Sequence, residues 1–241
     1  MPSVPYEKTE RSVPTRGLKR ASYDRELVHA ILDDGYVCHL GFVRDGAPVV
    51  LPTLYARVGE RLYVHGSTGS RPLLGAGPGL AVCLTVTHLD GIVLARSAFH
   101  HSVNYRSVLA FGRARLVSDP AEKRRAIDGF VDRFFPGRSA ELRPPTAQEI
   151  KATSFVVMEI EEAAAKIRSS HVSDDEEDYG FPCWAAVLPI SQVLGEADEC
   201  PRQLAGLARP PGVAGYAAGR KLEDALFEAY RRGAYDSETS R

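Results

Sequence analysis

The sequence lacks the features that define several specialised classes of protein. No two of its four cysteines form a C-x-x-C pair, so neither a zinc knuckle nor a dithiol motif is present. No apolar run approaches the roughly 20 residues of a membrane-spanning helix, and the first ten residues lack the apolar segment of a signal peptide. Lys and Arg number 30 against 31 Asp and Glu, which leaves no basic excess for nucleic acid. We therefore expect a cytoplasmic protein with reduced thiols and no membrane or nucleic-acid partner.

The remaining composition, with 44% apolar and 25% charged residues, is that of a globular protein. Segments typical of strands occupy 36–43, 47–58, 61–65, 80–87, 92–95, 103–117, 155–160 and 185–188. The dipeptides Asp45-Gly46 and Asp90-Gly91 are hairpin signals. Helical patterns cover 22–34, 120–135 and 220–232. Successive strands without strand–helix alternation predict an antiparallel barrel with peripheral helices, preceded by an arm at 1–20 and followed by a wrapping segment at 191–241.

A candidate phosphate-binding loop follows the predicted strand 61–65. It reads His-Gly-Ser-Thr-Gly-Ser-Arg over 65–71, with Pro72 at the first position of a short helix. Two glycines allow a ligand to approach the backbone, and Arg71 is able to hold a phosphate through two parallel hydrogen bonds. The alternative is a polar turn between a strand and a helix.

Two further segments carry polar groups able to line a ligand. Pro52 lies inside a predicted strand, where it demands an edge or a bulge and leaves backbone groups free for a flat heterocycle; a simple edge strand is the alternative. Segment 96–107 combines arginine, histidine, serine and asparagine, and we interpret it as a ligand-lining turn or as the polar rim of a strand turn.

Metal binding is not expected from this sequence. We place the adjacent His100 and His101 on a strand, where they point to opposite faces, and no further His or Cys lies at ligand spacing. Residues 174–178 form a run of five acids, but the spacing of an EF-hand is absent. We interpret this run as a solvated loop or the start of a helix.

Together these segments resemble the pyridoxamine 5'-phosphate oxidase superfamily of FMN-binding split β-barrels, within it most closely the nitroimidazole-resistance-like branch. The resemblance extends from about Arg20 to Ile190 and is carried by 62–67, 70–71, 94–97, 99–108 and 184–189. It implies a mainly β, antiparallel split barrel over 21–190 that binds FMN. It also implies a homodimer with the flavin at the subunit interface.

The resemblance also implies a set of flavin-binding residues. Ser70 and Arg71 resemble the phosphate-binding pair of the family, Arg106 and Ser107 occupy the place of the oxidase's Arg-Gln pair, and Trp184 resembles an aromatic residue supplied by the second subunit. The full predicted set is Thr53, Leu54, Tyr55, His65, Gly66, Ser67, Ser70, Arg71, His101, Asn104, Arg106, Ser107 and Trp184. Pro72 replaces the oxidase's lysine, and no substrate-gripping Arg follows Trp184. Oxidation of pyridoxamine phosphate itself is therefore not expected.

The function predicted is that of an FMN-dependent oxidoreductase. A reduced nicotinamide would deliver electrons to a small organic acceptor such as a nitro compound or a quinone. His65 is the predicted catalytic residue, as a proton donor beside the flavin, with a purely structural role as its alternative. Two other classes remain open: a haem-binding or haem-degrading split barrel, with His65, His100, His101 or His171 as ligand, and a non-catalytic flavin-binding protein. A deazaflavin in place of FMN is a further option.

Overall fold

A computed structural model describes residues 4–67 and 79–239 of the chain. Its strands are β1 (Ala21–Ser22), β2 (Val37–Arg44), β3 (Ala47–Val58), β4 (Arg61–Ser67), β5 (Leu80–Leu94), β6 (Ser102–Leu116), β7 (Thr153–Glu159), β8 (Glu162–Arg168) and β9 (Ala186–Pro189). Its α-helices are α1 (Arg25–Asp33), α2 (Pro120–Phe134), α3 (Arg138–Glu141), α4 (Ala147–Ala152) and α5 (Leu222–Thr239). Among these described helices, none has the length and apolar character needed to cross a membrane.

The strands form a sheet in the order β1-β8-β6-β7-β4-β3-β2-β5-β9. β6 also pairs with β5, which closes six strands into a ring. The registers determined for neighbouring strands are antiparallel. The predicted split β-barrel with peripheral helices is therefore confirmed.

The residues divide into two compact units. The first comprises Met1–Leu32, Thr85–Ala110 and Glu162–Ser191, and the second comprises Asp33–Leu84, Phe111–Glu161 and Gln192–Arg241. Within the first, the predicted arm buries Tyr6, whose amide donates to the Tyr23 carbonyl at 2.8 Å. Within the second, Phe134 and Leu226 pack in one cluster, and Val117, Phe155 and Val157 pack in another.

The predicted hairpin at Asp90-Gly91 is wrong. β5 runs without interruption from Leu80 to Leu94 and passes through both residues. Glycine suits this position because a Cβ at residue 91 would lie 3.1 Å from the carbonyl oxygen of Leu188 on the neighbouring β9, which is close enough to force a small shift of that strand. Close approach of a second backbone, not a turn, therefore explains this glycine. By contrast, the Asp45-Gly46 turn is confirmed, with φ of 50° and 78°.

Two prolines are accommodated in β3 by its pairing. The strand pairs with β2 over residues 47–54 and with β4 over residues 55–58. Pro48 and Pro52 both fall in the half that pairs with β2, so β3 behaves there as the edge that a proline demands. The second half of β3 pairs with β4, the strand that ends at the candidate loop.

Helix ends follow local capping chemistry. The side chain of Asp119 accepts a hydrogen bond from the Glu122 amide at 2.7 Å, which begins α2 as predicted. The helix predicted over 22–34 begins only at Arg25, because Ser22 lies in β1 and Asp24 accepts a hydrogen bond from the Leu27 amide at 2.8 Å. β8 was missed in the sequence because its Ala163, Ala164 and Ala165 have low strand propensity, although all three are buried.

Candidate functional site

His65 lies near the end of strand β4, where alternation puts its side chain on the face that carries Arg61 and Tyr63. Helix α2 covers this face, since Phe130 packs edge-on against the imidazole with 5.0 Å between ring centroids. The ring of Phe155 in β7 is tilted relative to the imidazole, with 6.1 Å between the ring centroids, and Phe155 pairs with His65 in the β4–β7 register. The imidazole is therefore set between two aromatic rings.

A cavity of about 550 Å³ opens beside this histidine. Its apolar wall is formed by Leu54, Ile127, Phe130, Val131, Leu142, Pro145 and Phe155. All residues that line it belong to the second unit. The volume falls in the range of about 300–1,000 Å³ usual for small-molecule sites, and we call this feature the His65 cavity.

Burial fixes the protonation of His65. Loss of solvent around the ring lowers its pKa below the ordinary value for histidine, because the charged imidazolium is poorly hydrated there. Its buried Nδ1 atom has no hydrogen-bond partner among the described residues. The imidazole is therefore neutral at pH 7 and is not committed to a structural hydrogen bond through Nδ1.

Charged side chains gather at the edge of the same cavity. Arg124 donates from Nε to Asp128 at 2.8 Å, and Arg143 pairs with Glu149, one of its bonds measuring 2.9 Å. Both arginines line the cavity while remaining exposed enough to exchange partners. An apolar wall, a neutral imidazole and two guanidinium groups suit a flat, largely apolar ligand that carries anionic substituents.

The structure brings together only part of the predicted flavin set in the second unit. Leu54 and His65 line the cavity, whereas Tyr55 is buried and its amide donates to the Tyr36 carbonyl at 3.1 Å. Thr53 Oγ1 lies 3.4 Å from the His65 carbonyl oxygen. Gly66 and Ser67 end β4 against β7. The phosphate-binding candidates Ser70 and Arg71 lie outside the described residues.

The predicted residues of the first unit have partners within that unit. Arg106 pairs with Asp90 at 3.0 Å, and the Ser107 hydroxyl donates to the Lys166 carbonyl at 3.3 Å. The Asn104 amide oxygen accepts from Arg168 at 2.7 Å, and its nitrogen donates to the Ser170 carbonyl at 3.1 Å. His101 Nδ1 lies 2.8 Å from the Ser97 carbonyl. Trp184 is 69% exposed.

Sequence reasoning missed most of the cavity wall. Phe130 falls within a predicted helix and Phe155 within a predicted strand, and neither has a predicted role in ligand binding. The available signal was the spacing of Ile127, Phe130 and Val131 along α2, which gives that helix one apolar face. Arg124 and Arg143 carried no signal, because exposed arginines on helices and loops are common.

The fold defines a class of protein, the split β-barrels. A sequence profile described as pyridoxamine 5'-phosphate oxidase matches residues 24–167, which is more than half of the chain. This protein belongs to the pyridoxamine 5'-phosphate oxidase family.

Two solved structures resemble the chain over most of its length. Flavocytochrome Anf3 from Azotobacter vinelandii is 41% identical, with a TM-score of 0.81 over 88% of this chain and 98% of that chain. The FAD and haem binding protein from Mycobacterium smegmatis is 36% identical, with a TM-score of 0.78 over 84% of this chain and 98% of that chain. A search of curated proteins gives no match.

Proposed function

We propose that this protein is a flavin-dependent oxidoreductase that would also hold a haem, with His65 as a ligand of the iron. The observation that carries the haem assignment is the neutral imidazole of His65 at the wall of a cavity of about 550 Å³. Support comes from the two relatives above, named as a flavocytochrome and as an FAD and haem binding protein. The sequence analysis leaves haem binding open as an alternative to flavin binding; we propose here that the protein binds both groups.

The residues around the His65 cavity fit this group. A neutral imidazole is the form of histidine that binds iron, and the lowered pKa keeps His65 in that form. The rings of Phe130 and Phe155 offer apolar surface to a porphyrin face. Arg124 and Arg143 are suited to bind carboxylate substituents, in exchange for Asp128 and Glu149. His100 and His101, by contrast, lie near Asp175 and the Ser97 carbonyl.

For the flavin, we propose FAD in preference to the FMN predicted from the sequence resemblance. The M. smegmatis relative is named for FAD and haem, and it matches 84% of this chain. Arg71 and Ser70 remain the predicted phosphate contacts. When bound, the two groups would supply two-electron and one-electron redox chemistry respectively. A reduced nicotinamide as donor and a nitro compound or quinone as acceptor remain proposals.

A homodimer is proposed on the outer face of β2 and β3. Apart from the pair His39↔Pro52, the cross-strand pairs on this face away from the His65 cavity are apolar or small, and Val43 and Val50 are exposed: Gly41↔Val50 and Val43↔Pro48. A second copy of the chain is the occupant that the family resemblance implies, and a two-fold axis lets one patch cover its own copy. Covering these valines would remove apolar surface from water.

Identification of the released cofactors tests the proposed function. We expect denatured protein, purified after growth with a haem precursor, to release one flavin and one haem per chain, measured by chromatography and mass spectrometry. Flavin without haem, even after haemin is added, would refute the haem assignment and leave the flavoprotein assignment standing. A protein that binds neither group would refute both.

A further inference from the structure

The acidic run 174–178 has a structural partner that sequence spacing did not indicate. His100, Asp175 and Asp178 each offer one ligand atom, and these atoms lie within 4.8 Å of one another. The His100 Nε2 atom is 3.2 Å from Asp175 Oδ2. The three residues belong to the first unit, whereas the His65 cavity is lined by residues of the second unit. They constitute a nitrogen–oxygen ligand set, unlike a purely acidic cluster.

Local geometry brings the two carboxylates to one side. Residues Glu176–Gly180 form a 3-10 helix with Asp175 at its N-cap, and the Asp178 amide donates to the Asp175 carbonyl at 2.9 Å. This hydrogen-bonded turn brings positions 175 and 178 together, and the ligand atoms of their carboxylates lie within 4.8 Å of each other. Two like charges held this way repel each other unless a cation lies between them.

The histidine is presented by a turn, which corrects its predicted position on a strand. The His100 amide donates to the Ser97 carbonyl at 3.2 Å, and β6 begins only at Ser102. His101 turns its Nδ1 atom to the Ser97 carbonyl at 2.8 Å and is absent from the cluster. The two adjacent histidines thus differ sharply in their surroundings.

A buried ion pair ties these two segments together. Asp174, whose side chain is fully buried, accepts hydrogen bonds from the Arg96 amide at 3.1 Å and from its guanidinium at 3.0 Å. The guanidinium also lies 5.0 Å from the ring centroid of Tyr179. Because Arg96 precedes the turn and Asp174 precedes the 3-10 helix, this pair fixes His100 opposite Asp175 and Asp178.

We propose that His100, Asp175 and Asp178 bind Zn²⁺ as a three-ligand site completed by water. One imidazole nitrogen and two carboxylate oxygens are ordinary zinc ligands, whereas Ca²⁺ and Mg²⁺ favour oxygen alone. Bond lengths of about 2.0–2.2 Å to a tetrahedral ion require ligand atoms about 3.3–3.6 Å apart. Exposed Asp175, with a 71% exposed side chain, has the freedom to make the small closure from 4.8 Å.

Zinc titration of the full-length, untagged protein tests this site. We expect the chain to withdraw one equivalent of Zn²⁺ from a chromophoric chelator of micromolar affinity, and excess Ca²⁺ or Mg²⁺ to leave that binding intact. His100→Gln and Asp178→Asn should each weaken binding at least about tenfold, since even partners of zinc ligands contribute that much. Substituted Co²⁺ should give the visible bands of a tetrahedral site.

His101→Gln is the matched control, because it removes a neighbouring imidazole that lies outside the cluster. It should retain wild-type affinity for Zn²⁺. The proposal is overturned if His100→Gln binds Zn²⁺ as tightly as wild type, if His101→Gln alone loses it, or if wild type binds none at millimolar concentration. Equal displacement by Ca²⁺ would overturn the assignment to zinc.

Discussion

At the scale of single residues, burial decides what the charged and titratable groups do. In the second unit, Asp33 accepts from Arg57 Nε at 3.0 Å and lies 3.0 Å from Arg133 Nη2. All three side chains are almost completely buried. One carboxylate thus neutralises two guanidinium groups in part, and its loss would remove this buried anionic partner from both.

Asp33→Ala should therefore destabilise the protein by about 3–5 kcal/mol, the usual cost of breaking a buried ion pair by removing one partner. Glu159→Ala is the control, since its side chain is 61% exposed beside Arg61 and an exposed pair contributes about 0–1 kcal/mol. Urea denaturation of both variants gives the two values. Equal stabilities would contradict the role assigned to Asp33.

The lowered pKa of His65 gives a pH dependence with a definite sign. Above the unfolded pKa of about 6.5, histidine is neutral in both states and burial has no protonation penalty. As pH falls below that value, the unfolded chain takes up a proton first, so stability decreases until the folded pKa is passed. His65→Gln should flatten this decrease in the haem-free protein. A His65 resonance that titrates by NMR at or above the ordinary value would contradict the burial argument.

At the scale of elements, backbone approach decides where glycine is needed. In β6, a Cβ at Gly112 would lie 2.1 Å from the Glu159 carbonyl oxygen, a distance that real atoms do not adopt. The strand is continuous through this glycine, from Ser102 to Leu116. The end of β7 crosses so close that only hydrogen fits.

Gly112→Ala should destabilise the fold by roughly 1–3 kcal/mol, as overpacking does when the contact is backbone. Gly129→Ala is its counterpart in α2, where an added Cβ meets nothing within 4 Å. There alanine should stabilise the helix by about 0.5–1 kcal/mol. Thermal denaturation of the two variants should shift the midpoint in opposite directions, and a shift in the same direction would refute this account of Gly112.

Sequence patterns predict the secondary-structure elements that have strong local signals. They fail where contacts between distant segments determine the structure. β2, β3, α2 and the turn at Asp45-Gly46 follow from alternation, capping and turn chemistry. The pattern predicts two strands in place of β5, because Asp90-Gly91 resembles a hairpin turn. The physical reason for Gly91 is instead the close approach of the β9 backbone. For the site, His65 is predicted from its place at the end of a strand and from the family resemblance. Its aromatic neighbours Phe130 and Phe155 lie on α2 and β7, and no local sequence pattern predicts that they contact His65.

At the scale of the whole molecule, the proposed dimer depends on the exposed face of β2 and β3. Val50→Glu places a charge at the centre of that face, opposite Gly41. We expect this variant to sediment as a monomer while wild type sediments as a dimer. Leu204→Glu changes another exposed apolar side chain, on a different segment, and should leave the dimer intact. A wild-type monomer, or a dimer unaffected by Val50→Glu, would contradict the proposed face.

The proposed function requires that one chain hold a flavin and a haem, with His65 bound to the iron. Haemin is titrated into wild-type protein and into His65→Ala, and the Soret band and the flavin absorbance are followed in the same samples. We expect a saturable Soret shift at one haem per chain in wild type. In His65→Ala we expect that shift to be lost while the flavin content stays unchanged. Wild-type Soret spectra in His65→Ala, or no shift in either protein, would refute His65 as the ligand of the iron.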